Sequence, residues 1–170
     1  MELPATAIDA ILALWPVADL ATIGGDGRPH LVPIVFARTG DRLWSPIDGK
    51  PKAGRELARV RNLRRDPRAT LLLQHYAAVW QRLWWLRLEC EAEIMSIADP
   101  PAGEAAGAIE ALRAKYPEYA RVPVLAAGST ALRFTIGTLR SWRASSEAGV
   151  VEPSGIEPPT SALRTQRSPN

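Results

Sequence analysis

Cysteine occurs once in this chain of 170 residues, at Cys90, and histidine only twice, at His30 and His75. A single cysteine excludes an internal disulfide and fits a reducing compartment. Three soft or borderline ligands are too few for a structural zinc site, which takes four, so no metal is expected. Apolar runs are short, and none approaches the ~18 residues that span a bilayer. The N-terminal stretch holds Glu2 and Asp9 and no basic cluster, so it does not read as a secretory signal. A soluble, cytoplasmic protein without a membrane partner is expected.

What the chain does have is enough apolar sequence for one domain: 46% of residues are hydrophobic and 23% charged. Its net charge of +3 is small, but it is not spread evenly. From Ser45 to Arg68 the chain carries Lys50, Lys52, Arg55, Arg59, Arg61, Arg64, Arg65 and Arg68 against Asp48, Glu56 and Asp66. That is eight cations against three acids, which leaves the rest slightly acidic. A nucleic-acid binder spreads its basic surface over a face; here the charge is local, and no nucleic-acid partner is expected.

Periodicity divides the chain. "TAIDAILALW" (Thr6–Trp15) sets Ile8, Ile11, Leu12 and Trp15 at helical spacing, and Pro16 stops it. Two apolar runs flank Gly24-Gly25-Asp26-Gly27, a hairpin signal. The second run, into which Pro29 and Pro33 fall, reads as one strand to Ala37 with an edge or bulged character. "RTGD" is a further turn and "RLWSPI" a third strand. After the basic segment, "ATLLLQHY" reads as a buried strand. "LWWLRLECEAEI" alternates, with Trp84, Leu86, Leu88, Cys90, Ala92 and Ile94 on one face and Trp85, Arg87, Glu89, Glu91 and Glu93 on the other. A helix runs to Tyr116, and "TALRFTIGTLRSW" is the last strand. The order predicts a mostly β, α+β domain over 1–148: a small six-stranded antiparallel barrel with helices outside. From Gly149 the chain is proline-rich and loses its apolar period. Residues 149–170 are expected to be a disordered appendage, of the kind read-through or a gene-model artefact leaves.

Within the basic segment, a helix counted from Ala53 puts Ala53, Leu57, Val60 and Leu63 on its core stripe. Arg55, Arg59 and Asn62 then share a flank, and Arg61 and Arg65 lie on the other. Lys50, Lys52, that flank and free N–H groups at the helix start would converge on one anion, with the Ser45 hydroxyl near by. Arginine forks and lysine point charges suit a phosphate. By charge pattern alone, a cationic helix is more often just a solvated face.

The segments "ATIGGDGRPHLVPIVFA", "LWSPIDGKPKAGRELARVRNLRRDPRATLLLQHY" and "WQRLWWLRLECEAEI" resemble the pyridoxamine 5'-phosphate oxidase-like split-barrel proteins, and most nearly their actinobacterial coenzyme F-420-dependent branch. The pattern TxxxDGRPHxxP, then KPK, then RNLRRDPRAT, in that order, carries the likeness. It implies a six-stranded split β-barrel of the FMN/F-420-binding type, dimeric, with the cofactor in a groove at the subunit interface. It implies that Lys50, Lys52, Arg55, Arg59 and Asn62 hold the cofactor phosphate. The ring would lie near Pro33, Val35, Trp44 and Ser45, with Trp80 lining the groove. The implied activity is that of a cytoplasmic oxidoreductase passing a hydride between deazaflavin C5 and an electron-poor small molecule. An FMN-dependent oxidase or reductase, or a non-catalytic cofactor-binding protein, is the alternative. Val79, where relatives tend to carry an acid, and Cys90, where they tend to carry glycine, depart from the pattern. Tyr76, His75 and His30 are the candidate proton donors, although a histidine on an apolar strand is more often structural. Trp84 is expected in the core, and Trp80 and Trp85 in a groove or a dimer contact.

Overall fold

The computed structural model describes residues 1–47, 56–98, 101–126 and 128–146. Three helices, α1 (Ala5–Leu14), α2 (Ala58–Arg65) and α3 (Glu104–Lys115), surround seven strands. These are β1 (Ala18–Ile23), β2 (Pro29–Ile34), β3 (Ala37–Thr39), β4 (Arg42–Ile47), β5 (Arg68–His75), β6 (Trp84–Ser96) and β7 (Thr130–Arg143). Single turns of 3₁₀ helix lie at Trp80–Arg82 and Pro117–Ala120. Among the described residues no helix is long and apolar enough to cross a membrane. The expected tail, 149–170, lies outside the described residues.

All strand pairs are antiparallel, in the order β2-β1-β5-β6-β7-β4-β3. Six strands were expected, because 29–37 reads as one apolar run. The chain instead leaves β1 after Ile34 and joins β4 from Ala37. Its two halves lie at opposite ends of the strand order, with only Val35 and Phe36 between them. Three peptide steps span at most about 10 Å, so the sheet must curl until its edges approach. β2 and β3 do not pair, and the result is a curled, open seven-stranded sheet where a six-stranded split barrel was expected.

Two turns have a visible steric cause. Gly27 (φ +80°) closes the β1–β2 hairpin, where Asp26 Oδ1 accepts from the Arg28 N–H at 3.1 Å. Gly40 (φ +59°) closes β3–β4. On β7, Gly137 is the extra residue of a bulge between the pairs Glu89–Thr138 and Cys90–Ile136; a Cβ there would sit 3.3 Å from the Glu89 carbonyl.

One core fills the curl: Leu20, Leu43, Leu71, Leu86, Leu88 and Phe134 are fully buried, capped by Ile11 and Leu12 of α1. A second lies under α3, built on Trp44, Ile97, Ala108, Ile109 and Leu112. Leu43 belongs to the first and Trp44 to the second, so β4 separates them and is buried on both faces. β6 keeps the expected alternation, burying Trp84, Leu86, Leu88, Cys90 and Ala92.

α2 starts later than the sequence suggested. Its N-cap is Leu57, whose carbonyl receives the Val60 N–H at 3.0 Å. Val60 and Leu63 are buried as expected, each burial contributing about 1.5–3 kcal/mol. Ala53 and Arg55 lie outside the described residues.

Candidate functional site

α2 packs on β1 through a polar hook. The Asn62 amide Nδ2 donates to Thr22 Oγ1 at 3.0 Å, and both residues are buried. Asn62 is thus turned inward, away from the flank on which it was expected to face an anion with Arg59. Arg59 remains on α2, half-buried. Lys50, Lys52 and Arg55 fall outside the described residues.

Several of the other arginines are engaged locally. Arg65 donates to the Ile23 carbonyl, holding the end of α2 to the hairpin. Arg61 Nη1 donates to the Glu56 carbonyl at 3.0 Å, and Arg64 meets the Glu56 carboxylate at 2.9 Å. Arg68 grips Asp66, its Nε and Nη2 on the two carboxylate oxygens at 2.9 and 2.7 Å. These hydrogen bonds hold the Asp66 carboxyl down at about 2. Part of the basic run therefore fixes its own segment.

The remaining expected ring contacts separate into two environments. Pro33 is exposed on the outer face of β2, and Val35 is half-buried at the crossover. Trp44 and Ser45 are each only 1% exposed, with Trp44 in the core beneath α3. Both lie within the buried part of β4. Trp80 stands on the 3₁₀ turn before β6, 75% exposed.

The outer face of the sheet holds two adjoining cavities. The larger, about 730 Å³, is walled by residues that include Thr22, Ile23, Arg68, Thr70, Glu89 and Glu91. The smaller, about 500 Å³, is lined by Leu72, Gln74, Tyr76, Trp85 and Arg87. Along β6 the outward residues run Trp85, Arg87, Glu89, Glu91, so the cavities follow one another along the strand. The Arg87–Glu89 ion pair, 3.5 Å, lies where they meet. Both volumes fall within the ~300–1,000 Å³ of small-molecule sites. The larger lies at the end of the sheet where α2 hooks onto Thr22. Sequence alternation had put these β6 residues outward but gave no sign that cavities lie along this face.

Of the three candidate proton donors, Tyr76 alone lines one of these two cavities. His75 is packed between tryptophans, stacked on Trp84 at 6.5 Å and edge-on to Trp15 at 6.0 Å. His30 lies half-buried on the inner face of β2, opposite Thr22. Cys90 touches the larger cavity, but burial pushes its thiol up to about 12, so it is no nucleophile at neutral pH.

A search among curated proteins gives no match. Solved structures with similar backbones include a FAD-binding protein of Mesorhizobium loti (16% identity, TM-score 0.61, covering 83% of this chain and 95% of that one). They also include the heme storage protein HutZ of Vibrio cholerae (14%, 0.62, 84% and 95%) and an F-420 reductase (19%, 0.54, 78% and 94%). At these identities the likeness is one of fold. The family model described as pyridoxamine 5'-phosphate oxidase matches residues 5–143. With that match spanning all seven strands, the chain belongs to the pyridoxamine 5'-phosphate oxidase family.

Proposed function

We propose that this protein binds a phosphate-bearing flavin-type cofactor in the outer-face groove and exchanges a hydride between it and an electron-poor small molecule. The observation that carries this reading is the 730 Å³ groove at the α2 end of the sheet, in a chain of this family. The basic segment is the phosphate-holding element, with Lys50, Lys52, Arg55 and Arg59 as its cations. Coenzyme F-420 is preferred over FMN, because an additional acidic tail suits a local surplus of cations better than one phosphate does. When bound, such a ring supplies two-electron hydride chemistry. The chain's own contribution is to orient it on the outer face and, through the Tyr76 hydroxyl beside the smaller cavity, to pass a proton to the product.

The same face supports a homodimer. Leu31 is 63% exposed there, and Ile23 and Pro33 are exposed beside it. Contiguous apolar surface of this kind is uncommon on a monomer, and a second copy would cover it and deepen the groove. The reducing character of a single-cysteine chain suits a cytoplasmic setting.

Side-by-side fluorescence titration of the purified protein with F-420 and FMN tests the reading. Tighter, phosphate-competed binding of F-420 supports it. Preference for FMN moves the chemistry to a flavin enzyme of the same fold. Binding of hemin and of neither flavin-type cofactor would replace the enzyme reading with non-catalytic storage, the role named for the Vibrio cholerae relative.

A further inference from the structure

On the outer face of β6 and β7, two like charges stand opposite each other. Arg87 pairs with Arg140 across the strands, and the next outward pair is Trp85 with Trp142. Directly opposed residues of an antiparallel pair have Cβ atoms about 4.5–5.5 Å apart, and like charges there are destabilising. Elsewhere the same strand pair is complementary: Glu93 opposes Arg133 and they form an ion pair at 2.8 Å. Arg87 is partly offset by Glu89 at 3.5 Å, whereas Arg140 is exposed and has no ion-pair partner among the described residues. A positive charge is therefore left over beside an aromatic wall.

One member of each pair, Trp85 and Arg87, borders the 500 Å³ cavity. Trp85 and Arg87 line it from β6, Leu72 and Gln74 from β5, and Tyr76 from just past the end of β5. Leu72 opposes Arg87 and Gln74 opposes Trp85, so Gln74, Trp85 and Trp142 form one row and Leu72, Arg87 and Arg140 the next. An aromatic row beside an arginine row matches a planar π-system with an acidic substituent at one edge. Guanidinium forks bind carboxylates in two-point geometry, and indoles offer a broad face for stacking.

We propose that the Trp85–Trp142 and Arg87–Arg140 rows recognise a planar acceptor molecule that carries a carboxylate. The proposal rests on the hydride-transfer reading for the word acceptor only; recognition itself is independent of cofactor.

The test uses 2-naphthoate and its uncharged methyl ester as probes, titrated by tryptophan fluorescence against the full-length protein without added cofactor. The acid is expected to bind and the ester to bind at least tenfold more weakly. Arg140→Gln is expected to weaken the acid about tenfold and leave the ester unchanged, with the acid's affinity falling as salt rises. Arg140→Lys restores part of the loss. Equal binding of acid and ester, or an unaltered acid affinity in Arg140→Gln, overturns the proposal. So does conversion of Arg140→Gln to a smaller species on size-exclusion chromatography, since the pair would then serve an interface. Charge-dependent naphthoate binding without F-420 or FMN binding would keep this site and reject the cofactor reading; the reverse pattern would do the opposite.

Discussion

Asn62 donates to Thr22 across the α2–β1 contact at 3.0 Å, with 6% and 2% of the two residues exposed. A buried polar pair of this kind adds little net energy when complete, but removing one partner strands the other. Thr22→Val leaves the Asn62 amide donor unsatisfied and is expected to cost about 1–3 kcal/mol in urea unfolding. If α2 positions cofactor-binding cations, it also weakens cofactor affinity. A variant with unchanged stability would show that the hook carries nothing.

Tyr116 does comparable work at the chain crossover. Its hydroxyl accepts from the Phe36 N–H at 3.0 Å and has the Pro16 and Phe36 carbonyls at 2.8 Å, with one proton to give. It fastens the end of α3 to the segment between β2 and β3. Tyr116→Phe strands a backbone N–H and is expected to cost about 1–3 kcal/mol, read as a lower denaturant midpoint with an unchanged slope.

Most elements were legible in the sequence because each carries its own local signal. The alternation over 84–94 named β6's buried face residue by residue, and Pro16 marked the end of α1. What was missed is tertiary. Nothing local distinguishes a continuous strand over 29–37 from two strands broken at Val35–Phe36, because both halves are apolar. The burial of Trp44 and Ser45 was not legible either. In the fold, β4 is sandwiched between two cores, and a helix that covers a strand's second face leaves no mark on that strand. Asn62 shared a helical flank with Arg59 by angle, but its partner Thr22 is forty residues away. The outer groove is lined by residues of β1, β2, β5, β6 and β7, which no short window brings together.

Lys115 links stability to pH. Its ammonium sits 3.6 Å over the Phe36 ring and donates to the Leu12 carbonyl at 3.2 Å, with Asp9 and Arg38 around the adjoining cavity. Burial pushes it down from its ordinary value near 10.5 to about 7. Between these values the unfolded chain binds the proton and the folded chain does not. Stability therefore rises with pH across about 7 to 10.5. Lys115→Met is expected to remove this slope and to be no less stable than the parent at pH 7. Urea midpoints of both proteins at pH 7, 8 and 9.5 check this. A Lys115→Met variant that is clearly weaker at pH 7 would mean that the carbonyl and ring contacts outweigh desolvation.

Cys90 is buried and its thiol is pushed up to about 12. Reactivity follows the thiolate, so iodoacetamide at pH 8 is expected to leave the folded protein unmodified and to label it in urea. Rapid labelling under native conditions would contradict the closed packing around β6.

Whether the cations of the basic segment hold an acidic cofactor is read from the cofactor affinity of Lys52→Ala and Arg55→Ala beside the parent, with melting temperatures recorded. Each substitution is predicted to weaken F-420 binding by about 1.5–3 kcal/mol, the scale of a charge-assisted contact, with melting unchanged. Parent-like affinity in both variants would contradict the claim and return the segment to a solvated helix face.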